Sequence, residues 1–258
     1  MMKVVILAGG FGTRLSEETV NTPKPMVEIG GKPILWHLLK YFSYFGLKDF
    51  VICAGYKSQQ IKDYFLKYSL INSDIRIDLS KNKVDILKKN IDDWSIEIVD
   101  TGIDSMTAER LKNISHLIHD DFILTYGDGL ANVNINSLID HHKKNNKLAT
   151  ITAVRPPARF GALQIDEKNN SVSDFKEKPD GDNSWINGGF FVLNKNIFDF
   201  IVEKNEVWEK EPLERIVKAS QLSAYKHDGF FQPMDTLRDL NVLNNLWVND
   251  IAPWKIWV

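Results

Sequence analysis

Within its first 25 residues the chain brings together groups suited to holding a phosphate. The stretch LAGGFGTRL (7–15) carries Gly9, Gly10 and Gly12, then Arg14, and ten residues further on Lys24 stands between Pro23 and Pro25. A tight turn needs one glycine or two; three in four positions leave a backbone that another group can approach closely. Backbone N–H groups without a Cβ in front of them can point at a phosphate. Arg14 and Lys24 supply matching positive charge, and the flanking prolines restrict the backbone around the lysine. The plain alternatives are an ordinary turn and a solvated lysine in a stiff loop. Two familiar phosphate motifs do not fit. The dinucleotide fingerprint needs a third glycine where Leu15 stands, and the P-loop needs Gly-Lys-Ser/Thr where the chain has Gly31-Lys32-Pro33.

The elements that must carry these residues follow from the hydrophobic pattern. KVVILA (3–8) is a continuous apolar, β-branched run of the parallel-strand type. PILWHLLKYFSYFG (33–46) has apolar residues at helical spacing and Gly46 as a stop. DFVICA (49–54) predicts a second strand, and SQQIKDYFLKYS (58–69) a helix capped by Ser58. IRIDLS and KVDILKK form a short extended excursion. SIEIVD is a strand and MTAERLKNISHLI (106–118) a helix. FILTYGDG is a strand ending in a turn that carries a carboxylate, Asp128; INSLIDHHKKNN is a helix and LATITAV a strand. This alternation over 1–154 predicts a doubly wound α/β fold, a Rossmann-like, mostly parallel sheet with helices on both faces. In such a sheet ligands lie outside the carboxyl ends of the strands, where the glycine loop and Asp128 both fall.

After Pro156-Pro157 the pattern changes. FGALQID, SVSDFKEKP and WINGGFFVLN read as strands, IFDFIVEK and EPLERIVKAS as helices, LSAYKHDG as a strand and TLRDLNVLNNLW as a last helix. No internal repeat or low-complexity linker divides the chain, so the second half is expected to extend the same sheet and roof its edge.

Composition narrows the class. With 32 Lys+Arg against 34 Asp+Glu the formal net charge is -2, which argues against nucleic-acid binding by general basicity, so an anion site must be a local cluster. The single cysteine, Cys53, forms no intrachain disulfide, and no Cys/His zinc spacing is present. Its plain reading is a small apolar residue in a buried strand. No apolar run approaches the ~18 residues of a membrane span. The expectation is therefore a cytoplasmic protein with neither a membrane nor a nucleic-acid partner. His141-His142 are adjacent on a helix and face different sides, a poor metal pair. Trp247, Trp254 and Trp257 near the end of the chain predict a tail docked on the protein itself or on a neighbouring subunit, and a homo-oligomer is expected.

LAGGFGTRL followed by PKPM and GGKPIL resembles the signature of the sugar-phosphate nucleotidyltransferases, the nucleoside-diphosphate-sugar pyrophosphorylases. Further blocks, VDTGIDSMTAERL, TYGDGLANV, RFGALQID, FKEKP, WINGGFFVLN, WEKEPL and FFQPMDTLRD, run in order along nearly the whole chain and resemble its glucose-1-phosphate cytidylyltransferase branch. The resemblance implies one domain over 1–258, with 1–154 mainly nucleotide-binding, a β-rich sugar-phosphate-binding region over 155–234, and a C-terminal helix and tail over 235–258. It implies that CTP and glucose 1-phosphate give CDP-glucose and pyrophosphate, with in-line attack on the α-phosphorus.

Such a reaction works by positioning and charge neutralisation, because a sugar phosphate is already ionised and needs no general base. By the resemblance Leu7, Ala8, Gly9, Gly10, Phe11, Gly12 and Thr13 cradle the nucleotide, Arg14 holds the departing phosphates and Lys24 bridges the reacting ones. Asp128 and Asp235 would hold Mg²⁺, with phosphate oxygens and water completing its shell. Their plain readings are a turn former before Gly129 and a helix N-cap. Thr101, Ser105 and Arg110 would flank the nucleotide, although Ala108-Glu109 stand where the family pattern has two glycines. Gly161, Glu177, Lys178, Asn187 and Gly188 would meet the sugar phosphate. The base and the acceptor stay open: UTP or dTTP, another sugar phosphate or a polyol phosphate fit the same chemistry. A non-catalytic nucleotide-sugar-binding subunit is a further alternative.

Overall fold

The computed structural model describes residues 2–12, 15, 21–89, 91–155, 162–166, 171–176 and 185–257, with 162–166 and 171–176 described by backbone alone. Its centre is a seven-stranded sheet. Strand β1 (Val4–Ala8) pairs in parallel with β4 (Asp49–Ala54) on one side and β8 (Phe122–Tyr126) on the other. Beyond β4 lies β7 (Ser95–Asp100), also parallel. Beyond β8 come β13 (Ile186–Leu193), antiparallel, then β10 (Ala149–Val154) and β14 (Leu222–His227). Strands from both halves of the chain thus share one sheet, the expected mostly parallel α/β arrangement with β13 as its antiparallel member.

The apolar run of β1 reflects burial on both faces. Val4, Ile6 and Ala8 point into one core and Val5 and Leu7 into the other, as the two-residue period of a strand requires. Each fully buried Val or Ile contributes about 1.5–3 kcal/mol. One face is covered by α1 (Ile34–Tyr44) and α6 (Leu237–Val248), the other by α3 (Thr107–Asn113) and α5 (Glu211–Lys218). Helix α4 (Ile135–Asn145) buries Ile135 and Leu138 in the first core. Between β1 and α1, β2 (Glu28–Ile29) and β3 (Lys32–Pro33) form a minimal hairpin around Gly30 and Gly31, both at positive φ. A side chain at Gly30 would run into the Trp247 ring.

Several boundaries differ from the sequence expectation. Helix α2 (Ser58–Ile71) is not capped by Ser58: Lys57, in the left-handed region, is the cap residue and makes no side-chain cap bond. Helix α3 ends at Asn113 and passes into a 3-10 turn at Ser115–Leu117, so 106–118 is not one helix. The segment around IFDFIVEK forms only a 3-10 turn, Lys195–Phe200, started by the Asn194 side chain accepting from the Asn196 amide. The extended excursion is a hairpin of β5 (Asp74–Asp78) and β6 (Lys83–Lys88). Strands β11 (Ala162–Asp166) and β12 (Ser171–Lys176) form another in the second half.

The remaining sequence expectations resolve simply. Cys53 is fully buried in β4, and burial pushes its thiol up to about 12. His142 is buried and bonded through Nδ1 to Thr150 Oγ1 at 2.9 Å, a core histidine, while His141 lies against the Tyr225 ring. Trp247, Trp254 and Trp257 dock on the protein's own surface around His37, and Trp254 Nε1 donates to His37 Nδ1 at 3.3 Å. No described helix is long and apolar enough to cross a membrane.

Candidate active site

In the sheet order the chain reverses direction beside β1, leaving a crevice outside the carboxyl ends of β1 and β8. A cavity of about 1080 Å³ opens there. Its floor is Leu7 to Gly12, and Lys24, Ser105, Arg110, Asp128, Asn187, Gly188 and Asp235 also line it. Most of the described residues expected at the site are therefore gathered in one place. Thr13, Arg14, Gly161, Glu177 and Lys178 lie outside the described residues.

Lys24, Asp128 and Asp235 meet directly. Lys24 Nζ donates to Asp128 Oδ2 and to Asp235 Oδ1, each at 2.7 Å. Three local structures produce this contact. The 3-10 turn Lys24–Met26, preceded by Pro23, buries the lysine stem. The turn packs on Gly127, where a Cβ would stand 3.2 Å from Pro25 Cγ. Asp128 follows Gly127 at the end of β8. A short ladder of β9 (Gly129–Ala131) with β15 (Phe231–Pro233), closed by the Met234 amide donating to the Asp128 carbonyl at 2.7 Å, then brings Asp235 alongside. Burial alone would push the Lys24 ammonium down; the two carboxylates outweigh it and hold it above the ordinary lysine value. The lysine is therefore a fixed cation throughout the neutral range.

Asp235 does not cap helix α6. Thr236 is the N-cap, in a reciprocal pair with Asp239: Thr236 Oγ1 accepts from the Asp239 amide at 3.2 Å, and Asp239 Oδ2 accepts from the Thr236 amide at 2.9 Å. The plain capping reading of Asp235 is thereby answered, and its carboxylate turns to the cavity. Because Asp128 and Asp235 each reach one ammonium at 2.7 Å, those two oxygens lie within twice that distance of each other. This donor set fits a hard divalent cation. Two carboxylates on an open cavity leave room for the phosphate and water oxygens that Mg²⁺ retains. No group of three or more His, Cys, Asp or Glu that could cage a metal occurs among the described residues.

Arg110 lines the cavity and also supports the glycine loop. Its guanidinium lies beneath the glycine loop, donating to the Gly9 carbonyl at 3.0 Å, the Gly102 carbonyl at 2.6 Å and Thr101 Oγ1 at 2.9 Å. A side chain at Gly9 would run into it. Thr101 is buried, its hydroxyl donates to the Ala54 carbonyl at 2.7 Å, and it does not line the cavity. Thr101 and Arg110 thus brace the loop from below. The hydrogen bonds of Arg110 go to backbone carbonyls and the Thr101 hydroxyl, all neutral, so its charge adds to the positive potential of the loop. Burial pulls its pKa below the usual arginine value.

Glu209, in the WEKEPL block, was not singled out from the sequence. It lines the cavity, accepts from the Tyr126 hydroxyl, and takes a 2.9 Å bond from Thr107 Oγ1. Asn187 Nδ2 donates to Tyr126 Oη at 3.3 Å. Burial and the Glu209 charge push the Tyr126 phenol up, keeping it a donor. Nothing in the spacing of Tyr126, Asn187 and Glu209 announces this cluster, because the β8–β13 pairing brings Tyr126 beside Asn187 and the Thr107 contact holds Glu209 there.

The profile of the nucleotidyl transferase family matches residues 3–247. Glucose-1-phosphate cytidylyltransferase of Salmonella typhimurium (strain LT2) is 52% identical over 258 residues, covering 99% of this chain and all of the relative. A probable glucose-1-phosphate cytidylyltransferase of Bacillus subtilis (strain 168) is 41% identical over 258 residues with the same coverage. Among solved structures, HddC from Yersinia pseudotuberculosis superposes with a TM-score of 0.71 at 24% identity, over 96% of this chain and all of that one, a likeness of fold.

Proposed function

The chain belongs to the nucleotidyl transferase family, and from that premise we propose that it transfers the cytidylyl group of CTP to glucose 1-phosphate, releasing pyrophosphate and forming CDP-glucose. The observation that carries the reading is the convergence of Lys24, Asp128 and Asp235 on one point beside the glycine loop. The full-length similarity to cytidylyltransferases supplies the substrates.

In this reading the backbone of Leu7 to Gly12, with Thr13, cradles the triphosphate. Arg14 draws charge from the departing phosphates. A phosphate oxygen of glucose 1-phosphate forms the new bond to the α-phosphorus as the bond to the pyrophosphate oxygen breaks in line. The nucleophile is already ionised, so no side chain has to remove a proton. Lys24 swings its ammonium from the two aspartates to the phosphates, which outbid carboxylates in charge. Asp128 and Asp235 would then be free to hold Mg²⁺, which would supply charge neutralisation for the reacting phosphates. Thr101 and Arg110 keep the glycine loop in register, and Ser105 lies at the nucleotide wall. On the sugar side Asn187, Gly188 and Glu209 offer acceptors and a close backbone, with Gly161, Glu177 and Lys178 assigned there from their motifs. The chain works as a homo-oligomer.

The test is product analysis. Folded protein with CTP, glucose 1-phosphate and Mg²⁺ should yield CDP-glucose and pyrophosphate in equal amounts by anion-exchange chromatography. CMP, or no product from protein that still binds CTP, would overturn the reading.

A further inference from the structure

The carboxyl edge of the sheet carries a second group of charges, just outside the cavity. Lys226 of β14 stands beside Ala153 of β10, and Ala153 stands opposite Asn187 of β13. Direct partners in a sheet present their side chains to the same face, so Lys226 and Asn187 share one. Trp185 precedes Asn187 by two residues and Arg155 follows Ala153 by two, and the period of a strand returns both to that face. The contacts agree. The Arg155 guanidinium lies 4.8 Å from the Trp185 ring centre and the Lys226 ammonium 5.4 Å from it, so the two cations stand within about 10 Å of each other. Asp228, 76% exposed, is 3.8 Å from Arg155 Nε, beyond hydrogen-bond reach. Lys226 has no carboxylate partner among the described residues. Stacking on a half-exposed ring is a weak attraction, and two like charges on one ring repel. An anion between them would relieve that repulsion.

The neighbouring cavity is short of such charge. Its described lining sets Asp104, Asp128, Glu209 and Asp235 against Lys24 and Arg110, and Lys24 is already engaged by two of these carboxylates. An incoming sugar phosphate is a dianion and meets net negative charge there. Strands β8, β13, β10 and β14 are successive neighbours, so at about 4.8 Å per step β14 lies roughly 14 Å from the strand that leads to Asp128. That span exceeds a hexose phosphate, which puts the pair at the mouth and not at the reacting phosphorus. We propose that Arg155 and Lys226, carried on the Trp185 ring, form a capture site at the acceptor mouth of the cavity, where the phosphate of the incoming sugar phosphate is held before it passes to Lys24. The identity of the acceptor rests on the function proposed above; capture of a phosphate dianion does not. The pair takes no part in bond making. It acts on the arrival of the acceptor, and so on kcat/KM for the sugar phosphate.

The experiment has two arms, each on the full chain, with far-UV circular dichroism to show that the variants fold. In the first, tryptophan fluorescence is titrated with inorganic phosphate for wild type, Trp185→Phe and the double variant Arg155→Gln/Lys226→Gln. Wild type should show a saturable change that Trp185→Phe lacks and that the double variant needs about fivefold more phosphate to reach. In the second, kcat/KM for glucose 1-phosphate at saturating CTP is followed against ionic strength. The double variant should fall about fivefold below wild type at about 20 mM salt and less than about twofold at about 0.3 M, where screening shortens the reach of the pair. The KM for CTP should hold. The single variant Lys226→Gln carries both arms should the double variant not fold. No fluorescence response in wild type, a double variant that matches wild type, or parallel salt profiles would overturn the capture site. A wild type that binds phosphate at Trp185 but does not turn over this substrate pair would support the capture site and defeat the substrate reading alone.

Discussion

Lys24→Met should move two properties in opposite directions. In the ligand-free enzyme the ammonium occupies the place between Asp128 and Asp235 that a divalent cation would take, so metal binding must first break two 2.7 Å bonds. A charge-assisted hydrogen bond is worth about 1.5–3 kcal/mol net. Both carboxylates are partly exposed, which screens the pair and reduces the total to about 1–2 kcal/mol. At 1.4 kcal/mol per decade, removing the ammonium should tighten metal binding by about 5- to 30-fold. Methionine keeps the buried stem packed, so the fold is spared. During turnover the same ammonium is needed at the reacting phosphates, and kcat should fall by ~10²–10³. Mn²⁺ titration followed by electron paramagnetic resonance reads the first effect, and pyrophosphate release reads the second. Unchanged or weaker Mn²⁺ binding would show that the carboxylates Lys24 bridges are not the metal site. A kcat within about threefold of wild type would remove the lysine from the phosphates.

Three further outcomes are expected. Arg110→Met leaves the Gly9 and Gly102 carbonyls short of a donor; unfolding free energy should drop by about 2–4 kcal/mol, and the KM for CTP should rise more than kcat falls, checked by urea denaturation and steady-state kinetics. Glu209→Gln should lower kcat/KM for the sugar phosphate by about tenfold while leaving the KM for CTP near wild type, with the reverse pattern placing Glu209 on the nucleotide side. His37 is buried, which lowers its pKa to about 4 from 6.5. The unfolded chain therefore binds the extra proton first, and stability is lost as pH falls from about 6.5 to about 4, by about 3 kcal/mol in all. Tryptophan fluorescence should report this slope, because Trp36, Trp247, Trp254 and Trp257 surround the ring, and His37→Asn should remove it.

Much of the fold was legible because its signals are local. β1 is an uninterrupted apolar run, β4 is one from Phe50 on and β8 is broken only by Thr125, and both faces of each are buried. The glycine loop was legible because close approach leaves few alternatives to glycine. The capping of α6 was not, because Asp235 and Thr236 both suit a cap and only the geometry decides between them. That Thr101 and Arg110 also brace the loop beneath Gly9 was not legible, because their partners there are backbone carbonyls of other segments. Glu209 stayed hidden because its partners Tyr126, Asn187 and Thr107 come from three other segments. The β5–β6 excursion read as extended, and its alternating faces are plain in the sequence. That the apolar one lies open required coordinates.

The measurement that bears most directly on the reaction is kcat/KM for pyrophosphate release with CTP, UTP, dTTP, ATP and GTP, each against glucose, mannose and N-acetylglucosamine 1-phosphates with Mg²⁺. Turnover confined largely to CTP with glucose 1-phosphate, and abolished by Lys24→Met, is the expected result. Preference for a different pair would keep the nucleotidyl transfer and discard the substrates. Silence across the grid from folded protein that binds CTP would contradict a catalytic site at Lys24, Asp128 and Asp235.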